Sequence, residues 1–177
     1  MPGSRDEMAQ LLRLHGVPWT FGRSGTGNLH PTFFAGYMAH KERLLFDAQT
    51  GQHYWYAVDR GIWVSMSREE MQQRVLETAR RVLLDQMAST EDPRLPALLT
   101  RLTVSFADQV VDLIGALQVE RNPFSRPDSV VHCSNVMVDL RSVPYAMHGF
   151  GPEWMSRNQT PVRYVQGAGS GMWQAFL

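Results

Sequence analysis

Apolar residues recur at two periods along this 177-residue chain, and the switches between them mark out its elements. Met8, Leu11, Leu12 and Leu14 predict a short, weakly amphipathic helix over residues 6–15, ended by Gly16 and Pro18. Gly22-Arg23-Ser24-Gly25-Thr26-Gly27-Asn28 has no apolar pattern and reads by composition as a flexible linker. A second helix is expected from Pro31, which suits a first turn, with Phe33, Phe34, Tyr37 and Met38 at helical spacing as core. The period then drops to two. Arg43–Asp47, Gln52–Val58 and Ile62–Met66 read as strands, with turns at Gln49-Thr50-Gly51 and Asp59-Arg60-Gly61, which makes a compact antiparallel meander. In the middle strand Tyr54 and Tyr56 share one face, while His53, Trp55 and Ala57 share the other. One aromatic face is expected to pack on the helices.

The helical period returns at Ser67. Ser67-Arg68-Glu69-Glu70 has the form of a capping box, and Met71, Val75, Ala79, Val82, Leu83 and Met87 make an apolar stripe through about residue 88. Glu70 with Arg74 and Glu77 with Arg81 are spaced for ion pairs on the polar side. Glu91-Asp92-Pro93 and Pro96 separate this helix from a short one at Leu98, Leu99 and Leu102. Ser105 is a candidate cap for a further helix carrying Phe106, Val110, Val111, Leu113, Ile114 and Leu117. Asn122–Pro127 reads as a loop, and Val130–His132 and Val136–Leu140 as two short strands. The fold class expected is α+β: a small antiparallel β-meander packed beside a helical bundle, with a short β segment near the C-terminus. Residues 1–28 form an N-terminal helix and flexible linker, and residues 29–177 the main domain.

Composition narrows the class. With 44% hydrophobic and 19% charged residues the chain is that of a folded globular protein, long enough to bury its own core. It has no run of about 18 apolar residues, so no membrane partner is expected. The opening Met1–Glu7 lacks an apolar stretch behind a basic region, so no secretory signal is expected there. The single cysteine, Cys133, excludes an internal disulfide, fits a reducing cytoplasm and reads as a small buried residue near a strand. The net charge of zero argues against a surface that binds nucleic acid all over. Yet Lys41 is the only lysine among 17 cationic residues. Arginine forks suit phosphate and carboxylate pairing, although a GC-rich genome also favours arginine codons.

Candidate chemistry is sparse. Gly22 and Gly27 have the spacing of the first glycines of a phosphate loop, but Asn28 and Leu29 stand where Lys and Ser or Thr are needed. The histidines fall at no ligand spacing, and no catalytic, cofactor or metal motif is found. Asp108 and Asp112 are four apart on one helical face and could approach a metal, although exposed acids are the simpler reading. No catalytic residue, cofactor or metal is assigned, and the isolated chain is not expected to be an enzyme.

From about residue 30 onward, the order of parts resembles the amino-terminal, or collar, domain of the primase-helicases of phages, plasmids and poxviruses, which precedes a superfamily 3 AAA+ helicase. Leu45-Phe46-Asp47, the Tyr54–Tyr56 aromatics and Gly61-Ile62-Trp63 resemble the family's opening meander. Ser67–Met87 and Ser105–Leu117 resemble its two helical blocks. Asn135-Val136-Met137-Val138-Asp139-Leu140-Arg141 resembles its "Asn-Gly, apolar, apolar, Asp-Leu" segment, with Val136 departing from the usual glycine. Pro161-Val162-Arg163-Tyr164, followed by Trp173-Gln174-Ala175-Phe176-Leu177, resembles the stretch that leads into the helicase.

The resemblance implies a non-catalytic module of a mobile-element DNA replication protein. It would link a primase to a hexameric AAA+ helicase and support ring assembly around DNA in the cytoplasm of a bacterial host. Its partners would be the helicase domain, in the same polypeptide or in trans, DNA, and further copies of itself. Arg60 on its turn and Arg68, Arg74 and Arg81 on the long helix are the candidate DNA contacts, and Trp154 and Trp173 the candidate protein-binding aromatics. The alternative is a free-standing adaptor or inhibitor that docks on a replicative helicase. An enzyme whose site assembles only in space is a third class, which a cleft holding perturbed titratable groups would support.

Overall fold

The computed structural model describes residues 5–125 and 129–167. It is a mixed α+β protein that divides into two compact units. One comprises residues up to Tyr56 together with Val64–Pro123, and the other Ala57–Trp63 together with the chain from Phe124.

The first unit is a helical core carrying a sheet. Helices α1 (Arg5–His15) and α2 (Pro31–Lys41) flank a hairpin of β1 (Trp19–Phe21) and β2 (Gly27–Leu29). The expected linker is therefore the turn and second strand of that hairpin. The Thr26 carbonyl accepts from the Gly22 amide at 2.9 Å, and the Gly22 carbonyl accepts from the Gly25 amide at 2.9 Å, with Gly25 at φ +77°. The apolar residues that hold the hairpin lie at its ends: Trp19, Phe21 and Leu29 pack on Leu83, Leu95 and Leu98. A Cβ on Gly27 would fall 2.4 Å from Leu98 Cδ2, so glycine at this position admits the close approach.

Strands β3 (Leu44–Asp47), β4 (Gln52–Ala57) and β5 (Ile62–Met66) form the expected meander. Strand β6 (Val119–Glu120) adds to β3 in parallel, giving the order β5-β4-β3-β6. In the β3–β4 register Leu44 faces Trp55 and Phe46 faces His53, so these four share the helix side of the sheet. Leu44 and Trp55 join the main core, and the Phe46 and His53 rings lie against Gly115. Tyr54 and Tyr56, on the other face, are buried as well. Asp47 is buried at the end of β3. Burial raises its pKa, but its bonds to the Gln49 amide, the Thr50 hydroxyl and the Asn122 amide outweigh this and hold it below the ordinary value.

Helix α3 (Arg68–Ser89) begins on the capping box expected of Ser67 and Glu70, with both reciprocal bonds formed. Met71, Val75, Ala79 and Leu83 are fully buried. The expected intrahelical ion pairs give way to other partners. Glu70 is drawn to the Ser67 amide, Glu77 accepts from Gln73, and Arg74 pairs with Glu42 while lying 4.8 Å over the Trp55 ring. A half-buried guanidinium gains more from a carboxylate and an aromatic face together than from a solvated neighbour on its own helix. Helix α4 (Leu95–Leu98) continues into a 3-10 turn over Leu99–Arg101. Helix α5 (Val104–Leu117) is capped by Thr103, not Ser105: the Thr103 hydroxyl accepts from the Phe106 amide at 3.2 Å. Helix α2 packs chiefly on α5, with Phe34 edge-on to Phe33 and to Phe106.

The second unit is built on β7 (Val130–His132), β8 (Met137–Asp139) and β9 (Ala146–His148), an antiparallel sheet with β8 in the centre. Strand β9 and the 3-10 turn Pro152–Trp154 are additions to the sequence reading. The turn between β7 and β8 closes with the Cys133 amide donating to the Val136 carbonyl at 2.9 Å, and Val136 is not among the residues at positive φ. The turn therefore does not require a glycine at position 136. Cys133 is buried beside its strand.

Candidate functional site

Backbone and side-chain hydrogen bonds in the second unit bring distant segments together. The Trp63 amide donates to the Ser156 carbonyl at 2.8 Å, and the Trp63 indole N–H to the Pro152 carbonyl at 3.0 Å. Gly61 adopts φ +68°, and the Phe150 ring lies so close that a Cβ there would meet it at 2.5 Å. Thr160 donates to the His132 carbonyl and Ser134 to the Val162 carbonyl, each at 2.9 Å, so the chain at 160–162 covers one open edge of the sheet. The Asn135 side chain then accepts from the Tyr164 amide at 2.9 Å and donates to its carbonyl at 3.1 Å. Pieces roughly a hundred residues apart are thus built into one unit.

These contacts leave a cleft of about 640 Å³ between the sheet and the 153–158 segment. His132 forms part of its wall, 2.8 Å from the Ser156 hydroxyl through Nδ1 and 4.9 Å from the Phe150 ring. The Ser156 hydroxyl hydrogen goes to the Asn158 carbonyl at 2.9 Å, so Nδ1 donates to Oγ. This arrangement orients the wall and does not activate Ser156 as a nucleophile. Burial holds His132 below the ordinary histidine pKa, against a smaller opposing contribution from the Arg60 carbonyl. Arg157 lies 4.8 Å over the Phe124 ring and makes no ion pair among the described residues. Trp154 is half-buried, its ring 5.0 Å from His148 and its indole nitrogen enclosed without a hydrogen-bond partner among the described residues. Met155, also on the wall, is held in the left-handed region at φ 48°.

Arg141 lines the cleft and binds Asp139 through its amide and guanidinium, which lower the Asp139 carboxyl to about 2. An unfolded aspartate titrates near about 3.9, so this pair stabilises the fold fully above that value and loses its contribution as pH falls toward 2. Urea unfolding at pH 7 and pH 3 should show a smaller loss on acidification for Asp139→Asn than for the parent chain. Equal losses would remove Asp139 from the acid response.

Of the candidate DNA contacts, Arg68 and Arg74 are engaged by carboxylates. Arg68 is clamped by Asp108 at 2.8 Å and Asp112 at 2.9 Å, which raise its pKa, and Gln72 donates to Asp108 at 2.7 Å. The acid pair considered for a metal thus holds an arginine. Arg74 is held by Glu42 and Trp55. Arg81, two turns along nearly the same face, is exposed. Arg60 is exposed at the hairpin tip, where its carbonyl accepts from Gln159 at 3.2 Å. Trp154 is a cleft wall and not an open surface aromatic, while Trp173 lies outside the described residues. The cleft residues Phe124, His132 and Arg157 had no local signature, because only tertiary contacts gather them. Among the described residues no helix is long and apolar enough to cross a membrane. No protein-family model and no curated protein matches the chain.

Proposed function

We propose that the chain is a non-catalytic module of a mobile-element DNA replication primase-helicase, joining primase to a hexameric AAA+ helicase and supporting its assembly around DNA. The observation that carries this reading is the convergence of the sequence pieces. Gly61-Ile62-Trp63, Asn135–Arg141 and Pro161–Tyr164 are remote in sequence, yet all belong to the second unit. Trp63 is bound to the 152–156 segment and Asn135 to Tyr164. A set of short resemblances gains weight when its members depend on one another physically.

The deciding experiment reads the native coding frame past the Leu177 codon. A continuation into a strand, a Gly-x-x-x-x-Gly-Lys-Ser/Thr loop and a helix supports the proposal. A stop codon there favours a docking adaptor instead. Without an AAA+ ring the main assembly contacts are missing, so light scattering of the isolated chain should give a monomer or weak dimer. A stable hexamer would overturn that expectation. Arg60 and Arg81 are the better candidates for phosphate contact in the assembled protein, because Arg68 and Arg74 already hold carboxylates.

A further inference from the structure

We propose that the cleft of the second unit binds a nucleoside phosphate, with the phosphate on Arg157 and the base against Trp154 and Met155. The cleft is of ligand size, within the range of about 300–1,000 Å³ usual for small-molecule sites. Its chemistry is divided in the way such a ligand requires. The Arg157 guanidinium carbon lies 4.8 Å over the Phe124 ring, a contact that steadies the group and consumes none of its N–H donors. The other arginine of the cleft, Arg141, is bound to Asp139, so Arg157 is the side chain whose charge lacks a carboxylate partner among the described residues. The Glu153 carboxylate packs against Gly151, where a Cβ would meet it at 2.1 Å.

Trp154 and Met155 offer an apolar, polarisable surface for a base, and Ser129 and Asn158 stand on the same cleft as polar partners for its edge. Two features of this wall have no use within the described residues. The Trp154 indole N–H donates to nothing, and Met155 is kept in a left-handed conformation that a methionine seldom takes. A strained residue on the wall of a cleft is typical of places where a ligand is held. The His132–Ser156–Asn158 bonds hold that wall in place before a ligand arrives.

The proposal stands on the cleft alone and does not require the helicase reading. The same chemistry is offered by a free nucleotide and by one unit of a single strand, and the test separates them. The 177-residue chain is titrated calorimetrically with thymidine 5′-monophosphate and with an oligothymidylate of about ten nucleotides. Binding of both with similar affinity assigns the cleft to free nucleotides, and much tighter binding of the oligomer assigns it to single strands. In either case Arg157→Ala, at an exposed position, should weaken binding by about tenfold or more. Its log–log salt slope on the oligomer should fall by about 0.7, one phosphate contact. Ser129→Trp, which fills the cleft without altering its charge, should abolish binding, and Arg81→Ala should change nothing in the mononucleotide titration. The proposal is overturned if neither probe binds, or if Arg157→Ala or Ser129→Trp binds as the parent does.

Discussion

Phe34→Ala is expected to cost about 3–5 kcal/mol of folding stability, the largest single effect in the first unit. Phe34 is 0% exposed on α2. Its ring meets Phe33 at 5.5 Å and Phe106 at 5.4 Å, both edge-on, so the substitution removes two aromatic contacts as well as apolar volume. Phe106 opens α5 and Leu11 belongs to the same core, so the cavity would lie where α1, α2 and α5 draw together. Against a typical total of about 5–15 kcal/mol, that loss is a large fraction. Phe34→Leu, which keeps most of the volume, should lose about 1.5 kcal/mol or less. Urea unfolding of the three proteins decides the matter. An alanine variant within about 1 kcal/mol of the parent would mean that the site collapses freely, contrary to the packing described.

Gly61→Ala should cost about 2–4 kcal/mol, from two independent sources. The backbone at φ +68° disfavours any Cβ, and the new methyl would stand 2.5 Å from Phe150 Cγ. Phe150 also touches His132, so its displacement would disturb the wall of the cleft. A double-mutant cycle separates the two costs. Combined with Phe150→Ala, the Gly61→Ala substitution should lose its steric part and keep its backbone part, giving a coupling of about 1 kcal/mol or more. Simple additivity of the two substitutions would show that Phe150 moves aside without cost.

Much of the first unit was legible in the sequence because its determinants are local. The capping box at Ser67 and Glu70, Pro31 in a first turn and the two turns of the meander act within a few residues, and each element they predict is present. The differences arise where a choice is settled by partners far along the chain. Thr103 and Ser105 are both competent caps, and the start at Val104 is the one that buries Phe106, Val110 and Ile114. Residues 22–28 carry glycines that suit a linker or a turn equally, and only packing of Trp19, Phe21 and Leu29 on α3 and α4 makes them a turn. Val119–Glu120 is too short to be a strand by itself and becomes one by pairing with β3.

The arginines show the same limit for function. Spacing placed Arg68, Arg74 and Arg81 on one helix, but it carried no information about Asp108, Asp112, Glu42 or Trp55, which decide whether a guanidinium is engaged or available. Arg157 was one arginine among many until its stacking on Phe124, thirty-odd residues earlier, set it apart.

By itself the sequence determined the α+β class, the order of the principal helices and the meander strands, and the apolar stripes that form the core. These follow from periodicity and from caps and turns, whose physics spans only a few residues. Tertiary structure alone decided the hairpin at 19–29, the third strand of the second unit's sheet, the partners of the arginines and the existence of the cleft. Each of these depends on burial and pairing between segments far apart in the chain, and such energies are absent from any local pattern until the chain has folded.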